Sequence, residues 1–226
     1  MTHIMLDLET WGKTPGCDIR SIGAVVFDPV AGDVSIQCET CKGGTTRGNI
    51  NEGGDCSDCM NTRMERGFGD VFYIATDNPV KAMLGDSVYA RKYPLTRDPE
   101  TVHWWSLQTP EAQAAFENPV DLKRACADFI VWLNTHTVPE TQSLRLWAND
   151  PHFDVSILDA VYRAVGLPVP WHYRAPRSMR TIVEAAGMTR DDMVQFNHGT
   201  AHNALDDAIS QAMIVCEAYK RLGLQS

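Results

Sequence analysis

The chain of 226 residues is 44% hydrophobic and 22% charged, the composition of an ordinary globular protein with room for one substantial core. Its formal charge of −9 argues against a sequence-independent duplex binder, which needs a broad Lys/Arg surface, but not against a nucleic-acid enzyme whose active site is itself made of carboxylates. No run approaches 18 consecutive apolar residues, and the opening MTHIMLDLETWGK lacks the basic-then-apolar order of a secretory signal; the expectation is no membrane partner and a cytoplasmic location, or the host cytoplasm if the chain is phage-encoded.

In chain order, residues 4–8 (IMLDL) and 21–29 (SIGAVVFDP) read as strands, the second ended by an Asp-Pro turn, and residues 71–76 (VFYIAT) as a third. Between the last two, residues 37–69 turn to Gly, Asn, Thr, Cys and charge with almost no large aliphatics. Such a segment buries too little apolar surface to offset its ordering entropy, so it reads as an insertion that needs another source of order.

From Asp98 the character is helical. Residues 109–116 (TPEAQAAF) open with a Thr cap, and residues 120–136 space Leu122, Ala125, Phe129 and Leu133 on one face. A buried strand at 143–149 (SLRLWAN) follows, then an amphipathic helix at 153–166 stopped by Gly166 and Pro168. An extended WHY at 171–173, a helix across 178–187 and a last helix from about Ala201 to Leu222 complete the order. This series predicts an α/β fold: a mixed five-stranded sheet with flanking helices, forming one domain over residues 1–226 interrupted only by the module at 37–69.

Of seven cysteines, Cys38, Cys41, Cys56 and Cys59 fall within 22 residues, while Cys17, Cys126 and Cys216 are scattered. Two Cys-x2-Cys pairs separated by 14 residues have the spacing of knuckles presenting four thiolates to one tetrahedral Zn²⁺. A closed four-thiolate site leaves no position for water, so this zinc is expected to be structural, ordering a module at the tip of a strand hairpin.

Asp7 and Glu9 end the first strand with one residue between them, so the period of two points both carboxylates to one face, where they repel unless a cation or proton sits between them. Singly, this pair, Asp154 at a helix start and Asp207 near the first turn of the last helix each have a plain structural explanation. Together they form a pattern: Asp7-Leu8-Glu9-Thr10, Asn149 through Phe153-Asp154, and His202-Asn203-Ala204-Leu205-Asp206-Asp207. This resembles the DEDDh 3′→5′ exonucleases of the ribonuclease H-like superfamily. The segments DLETW, SIGAVVFD, TVHWW, LWAND and GTAHNALDDA look most like a branch that contains phage-type exonucleases and an adenylate-degrading exoribonuclease. Two departures stand out: five steps separate Asn149 from Asp154, one more than the commoner spacing, and Trp11 follows the first motif where a smaller aliphatic is usual.

The resemblance implies a ribonuclease H-like sheet and hydrolysis at the 3′ end of single-stranded RNA or DNA, with release of nucleoside 5′-monophosphates. It implies two Mg²⁺ or Mn²⁺ ions, with Asp7 bridging both, Glu9 and Asp207 on the ion that activates water, Asp154 at the second, and His202 as general base. His198 competes with His202 and Asp206 with Asp207; the family spacing selects His202 and Asp207, although helical geometry would put Asp206 on the histidine's face. Candidate substrate contacts are Leu8, Thr10, Trp11, Trp104, Asn149 and Phe153, the aromatics among them as platforms on which stacking is worth about 1–3 kcal/mol per base. Arg174, Arg177 and Arg180 are candidate phosphate contacts. Related exonucleases suggest a homodimer. The competing reading is a catalytically weak nucleic-acid- or protein-binding module that uses the zinc insertion for contacts; the presence of all five catalytic residue types speaks against it.

Overall fold

The computed structural model describes residues 1–32, 34, 71–81, 90–137 and 143–224. The 37–69 insertion and its four cysteines, Cys38, Cys41, Cys56 and Cys59, lie outside the described residues. Strands β1 (Thr2–Thr10), β2 (Ile19–Phe27) and β3 (Val71–Asp77) are followed by a two-stranded antiparallel ribbon, β4 (Val80–Lys81) and β5 (Ala90–Arg91). Then come helices α1 (Pro99–Ser106) and α2 (Pro110–Ala114), strand β6 (Val120–Asp121), helix α3 (Leu122–His136), strand β7 (Leu144–Ala148) and helix α4 (Asp154–Val165). Strand β8 (Pro176–Ser178) and helices α5 (Met179–Ala185), α6 (Arg190–Val194) and α7 (Ala204–Leu222) end the chain.

The main sheet has six strands in the order β6-β3-β2-β1-β7-β8, not five. β1, β2 and β3 are antiparallel neighbours, while β7 and β8 add in parallel beside β1. The additional strand, β6, is a two-residue edge paired in parallel with the end of β3, too short to show any alternation in sequence. The expected strand at 171–173 is displaced: the aromatic WHY lies in a turn in which the Ala175 amide donates to the His172 carbonyl, and the pairing begins at Pro176 opposite Leu146. Proline is tolerated there because β8 is an edge strand.

Period-two alternation in β1 feeds two cores. Ile4, Leu6 and Leu8 enter a cluster with Phe72, Phe129, Trp132, Ile157 and Leu158, beneath α3 and α4. Met5 faces the other side, with Trp147, Met179, Leu205, Ala208 and Ala212, beneath α5 and α7. Each fully buried aromatic or aliphatic side chain contributes roughly 1.5–3 kcal/mol by leaving water. Asp7 and Glu9 have the parity of Met5, so the strand's acids emerge under α7.

Gly23 sets how closely α7 approaches. It is the cross-strand partner of Asp7, and a Cβ there would stand 2.2 Å from the backbone carbon of Ala204. A bare glycine lets the first turn of α7 rest on the sheet directly beside the acids. Among the described residues no helix is long and apolar enough to cross a membrane.

Candidate active site

Five elements meet around one cleft of about 790 Å³, whose lining includes Asp7, Glu9, His202 and Asp207 but not Asp154, which reaches it through the Leu8 amide. Asp7 and Glu9 come from the end of β1, Asp154 from the first residue of α4, His202 from the turn before α7, and Asp207 from the first turn of α7. Trp104 and Trp105 of α1 wall the cleft, with Lys13, His103 and Leu107 on its lining.

The carboxylates are crowded, Glu9 and Asp154 buried and Asp7 and Asp207 half-buried. Asp154 is 3% exposed and accepts the Leu8 amide at 3.2 Å, which ties the start of α4 to the middle of the Asp7-Leu8-Glu9 stretch. Burial, then the charges of Asp154, Glu9 and Asp207, hold the Asp7 carboxyl well above the usual carboxylate range. Burial first, with Asp207 next, pushes Glu9 up to about 8, against the pull of the Arg20 guanidinium. Burial also raises Asp154 to about 7 and raises Asp207. Four acids so crowded and so little solvated repel one another, an arrangement that a divalent cation would stabilise. Among the described residues, Glu9, His202 and Asp207 offer ligand atoms that all lie within 4.8 Å of one another, two of them carboxylate oxygens, the hard donors that suit Mg²⁺ or Mn²⁺.

His202 is held from three sides. Its amide donates to the Asp207 carboxylate at 3.0 Å, and its ring meets Trp104 and Trp105 edge to face, with centroids 4.9 Å and 6.1 Å away. Its backbone is left-handed, φ 65°, an uncommon conformation for a residue with a side chain and one that needs surrounding support. The Asn203 side chain then caps α7 by accepting from the amides of Leu205 and Asp206.

Asp206 turns elsewhere. Its carboxylate accepts the Thr200 amide at 2.8 Å, and Gly199, φ 58°, lies so close that a Cβ would stand 2.3 Å from that carboxylate. His198, the competing histidine, approaches Asp206 at 3.9 Å, and its amide donates to Ser210. The pair His198–Asp206 therefore braces the turn, while His202 and Asp207 share the cleft.

The remaining sequence candidates divide. Leu8, Thr10, Trp104, Asn149 and Phe153 line the cleft. Leu8 buries its side chain in the opposite core and contributes its backbone. The Thr10 hydroxyl donates to the Gly12 carbonyl, and the Thr10 carbonyl accepts the Trp105 indole N–H at 2.8 Å. Trp104 is 42% exposed, whereas its neighbour Trp105 is buried, so Trp104 is the ring available to a base. Trp11 is engaged by the guanidiniums of Arg20 and Arg97, each 4.4 Å from its ring centre. Asn149 accepts from the Arg180 side chain at 3.3 Å. Of the three arginines only Arg180 reaches this end of the sheet; Arg174 and Arg177 precede and occupy β8, where the Arg177 guanidinium donates to the carbonyls of Arg174, Ala175 and Pro176.

Two participants carry no motif signal. Gln211, one turn beyond Asp207, donates from Nε2 to Asp7 Oδ1 at 2.7 Å. Arg20 is 7% exposed and lies 3.5 Å from the ring centre of Phe116 and 4.0 Å from that of Trp105. The pairing of β1 with β2 shifts at this point, from Glu9↔Ser21 to Thr10↔Ile19. Arg20 is thus the extra residue of a β-bulge, a device that re-aims a side chain beside a site.

Comparison with known proteins adds to this geometry. The chain is similar to the nuclease domain of 3′hExo, a DEDDh family member, crystallised with rAMP: 12% identity, TM-score 0.48, over 97% of this chain and 92% of that one. It is also similar to E. coli Exonuclease I in complex with a dT13 oligonucleotide, at 12% identity and a TM-score of 0.53. That match covers 98% of this chain and 41% of the E. coli chain, and it shows the fold alone. No curated protein matches the sequence. A family model described as the 3′-5′ exoribonuclease Rv2179c-like domain matches residues 2–219. The chain therefore belongs to the Rv2179c-like family of 3′-5′ exoribonuclease domains, and it is a 3′→5′ exonuclease.

Proposed function

We propose that this protein shortens single-stranded RNA from its 3′ end by divalent-metal-dependent hydrolysis, releasing nucleoside 5′-monophosphates. The observation that carries the reading is the meeting of Asp7, Glu9 and Asp207 in one cleft beside His202, with the Asp154 carboxylate tied to the Leu8 amide between the first two. Asp7, Glu9, Asp154 and Asp207 would hold the two Mg²⁺ or Mn²⁺ ions. When bound, such ions stabilise the charge that builds on the attacking, phosphoryl and leaving oxygens.

The rest falls to the chain's own groups. His202, fixed through its amide by Asp207 and through its ring by the two tryptophans, takes the proton from the attacking water, a ring nitrogen lying within 4.8 Å of Glu9 and Asp207 oxygens. Trp104 offers an exposed ring to an unpaired base, Phe153 and Asn149 line the same cleft, and Lys13 adds a cation to its lining that suits a phosphate. A net charge of −9 gives duplex backbones little to hold, which favours a single strand. The family description supports RNA over DNA.

We read residues 37–69 as a module inserted in the exonuclease domain and ordered by one Zn²⁺ on Cys38, Cys41, Cys56 and Cys59, on the strength of their spacing. The decisive experiment incubates linear and circular single strands of one sequence, as RNA and as DNA, with Mg²⁺ or Mn²⁺. Mononucleotide release from linear RNA with an intact circle is the expected result; cleavage of the circle at a comparable rate overturns it.

A further inference from the structure

Gln211 belongs to none of the sequence motifs and reaches the site through geometry alone. It stands on α7 one helical turn beyond Asp207, so the two side chains leave the same face of the helix toward β1. Its side chain is packed down, with the residue 9% exposed, and one end of the amide is committed: Nε2 donates to Asp7 Oδ1 at 2.7 Å. The other end, Oε1, is buried with no hydrogen-bond partner among the described residues. An unsatisfied buried carbonyl costs about 1–3 kcal/mol, and with Asp7 ionised, rotating the amide would set two acceptor oxygens face to face.

That geometry bears on a definite problem. Asp7 has three acidic neighbours, Asp154, Glu9 and Asp207, and repulsion from several directions leaves the rotation of its carboxylate poorly defined. A single N–H donor on Oδ1 selects one orientation and leaves Oδ2 as the oxygen offered to the cleft. Building on the exonuclease reading, we propose that Gln211 is a positioning residue that fixes the Asp7 carboxylate for cation binding. Partners of this kind behind a metal-binding carboxylate are typically worth 10–100-fold in metal affinity or activity.

The experiment compares Gln211→Met, which keeps the length of the side chain without donor or acceptor oxygen, with Gln211→Glu, which keeps the shape and an oxygen but cannot donate when ionised. Mn²⁺ binding to each purified protein is read from the electron paramagnetic resonance signal of free Mn²⁺, and turnover from mononucleotide release. In Gln211→Met, Mn²⁺ affinity is expected to fall about 10-fold or more, with kcat down about 10–100-fold and KM for the oligonucleotide within about twofold. Gln211→Glu is expected to lose kcat to a similar degree whatever its cation affinity. Wild-type Mn²⁺ affinity and kcat in a folded Gln211→Met protein overturn the proposal, as does full turnover in Gln211→Glu or a loss confined to KM. Should Gln211→Met fail to fold, Gln211→Leu replaces it under the same criteria. A wild-type protein that binds Mn²⁺ but hydrolyses nothing would instead sink the exonuclease reading and leave the Mn²⁺ comparison standing.

Discussion

Asp206 and Asp207 leave the first turn of α7 toward different surroundings, the former to the Thr200 amide and Gly199, the latter to the His202 amide and the cleft. Asp207→Asn keeps the size and removes a charge from the cation-binding set, so hydrolysis should fall by orders of magnitude while the melting temperature holds or rises. Asp206→Ala should do the reverse, lowering the melting temperature by removing the acceptor of the Thr200 amide and keeping kcat within about threefold. Parallel melting curves and single-nucleotide release assays test both; equal activity losses would erase the distinction. His202→Asn is expected to reduce kcat by about 10²–10⁴-fold with little change in stability, because Asn tolerates the positive φ that His202 adopts. A kcat within a few-fold of wild type in that variant would remove His202 from proton transfer. The period of two exposed Asp7 and Glu9, and the motif spacing selected His202 and Asp207. Gln211 stayed hidden because a glutamine on a buried helix face looks like packing until its amide is seen on Asp7.

The elements that carry the site were legible where they are long. β1, β2, α3, α4 and α7 follow from clear alternation or a sustained helical face, with glycine stops at Gly166 and Gly223 in the left-handed conformation. Short pieces were not: β6 has two residues, β8 begins with a proline, and α6 rests on a capping box between Thr189 and Asp192 rather than on an apolar stripe. The bulge at Arg20 was equally invisible, since a strand pattern specifies faces and not the one residue that slips out of register. Gly23 gives this scale its test. Gly23→Ala drives a methyl into the backbone of Ala204, where neither side is a flexible side chain, so α7 must move away from β1. Overpacking of this sort costs about 1–3 kcal/mol, and the same shift carries Asp207 and Gln211 off Asp7. The variant should melt lower and lose a larger fraction of its activity than of its stability. Ala at this position with unchanged kcat would show that the close approach of α7 is not what assembles the site.

Across the whole molecule, the sheet and two cores fix where the acids stand, and their charge then feeds back on stability. Glu9 and Asp154 are pushed up to about 8 and about 7, and Asp7 well above the usual range, with burial the largest cause in each. The folded, metal-free protein therefore keeps protons that the unfolded chain releases near the ordinary carboxylate value of about 4. Stability from these groups is fully present below that value and is lost as pH rises through about 7 to 8, because the unfolded state binds fewer protons throughout this window. Asp192 and His3 have the opposite sign: Asp192, held well below the usual carboxylate range first by its hydrogen bond from Arg221, changes its contribution only below about pH 4, and His3, lowered to about 4 chiefly by burial, adds stability only up to about pH 6.5, so the raised carboxylates set the slope from there to pH 8. Bound divalent cations take the place of the lost protons. The metal-free protein should thus melt lower at pH 8 than at pH 5.5, and saturating Mg²⁺ or Mn²⁺ should raise the melting temperature by about 5 °C or more at pH 8 and far less at pH 5.5, given that about 1 kcal/mol moves a domain of this size by roughly 2–4 °C. In Asp7→Asn, which removes the acid beside Asp154, Glu9 and Asp207, both the downward slope with pH and the response to cations should shrink together. Differential scanning calorimetry across pH 5.5–8, with and without cation, decides the matter. A metal-free melting temperature that is flat or rising over that range would mean that the four carboxylates are not held as protonated, cation-ready groups, and the electrostatic account of the cleft would fail with it.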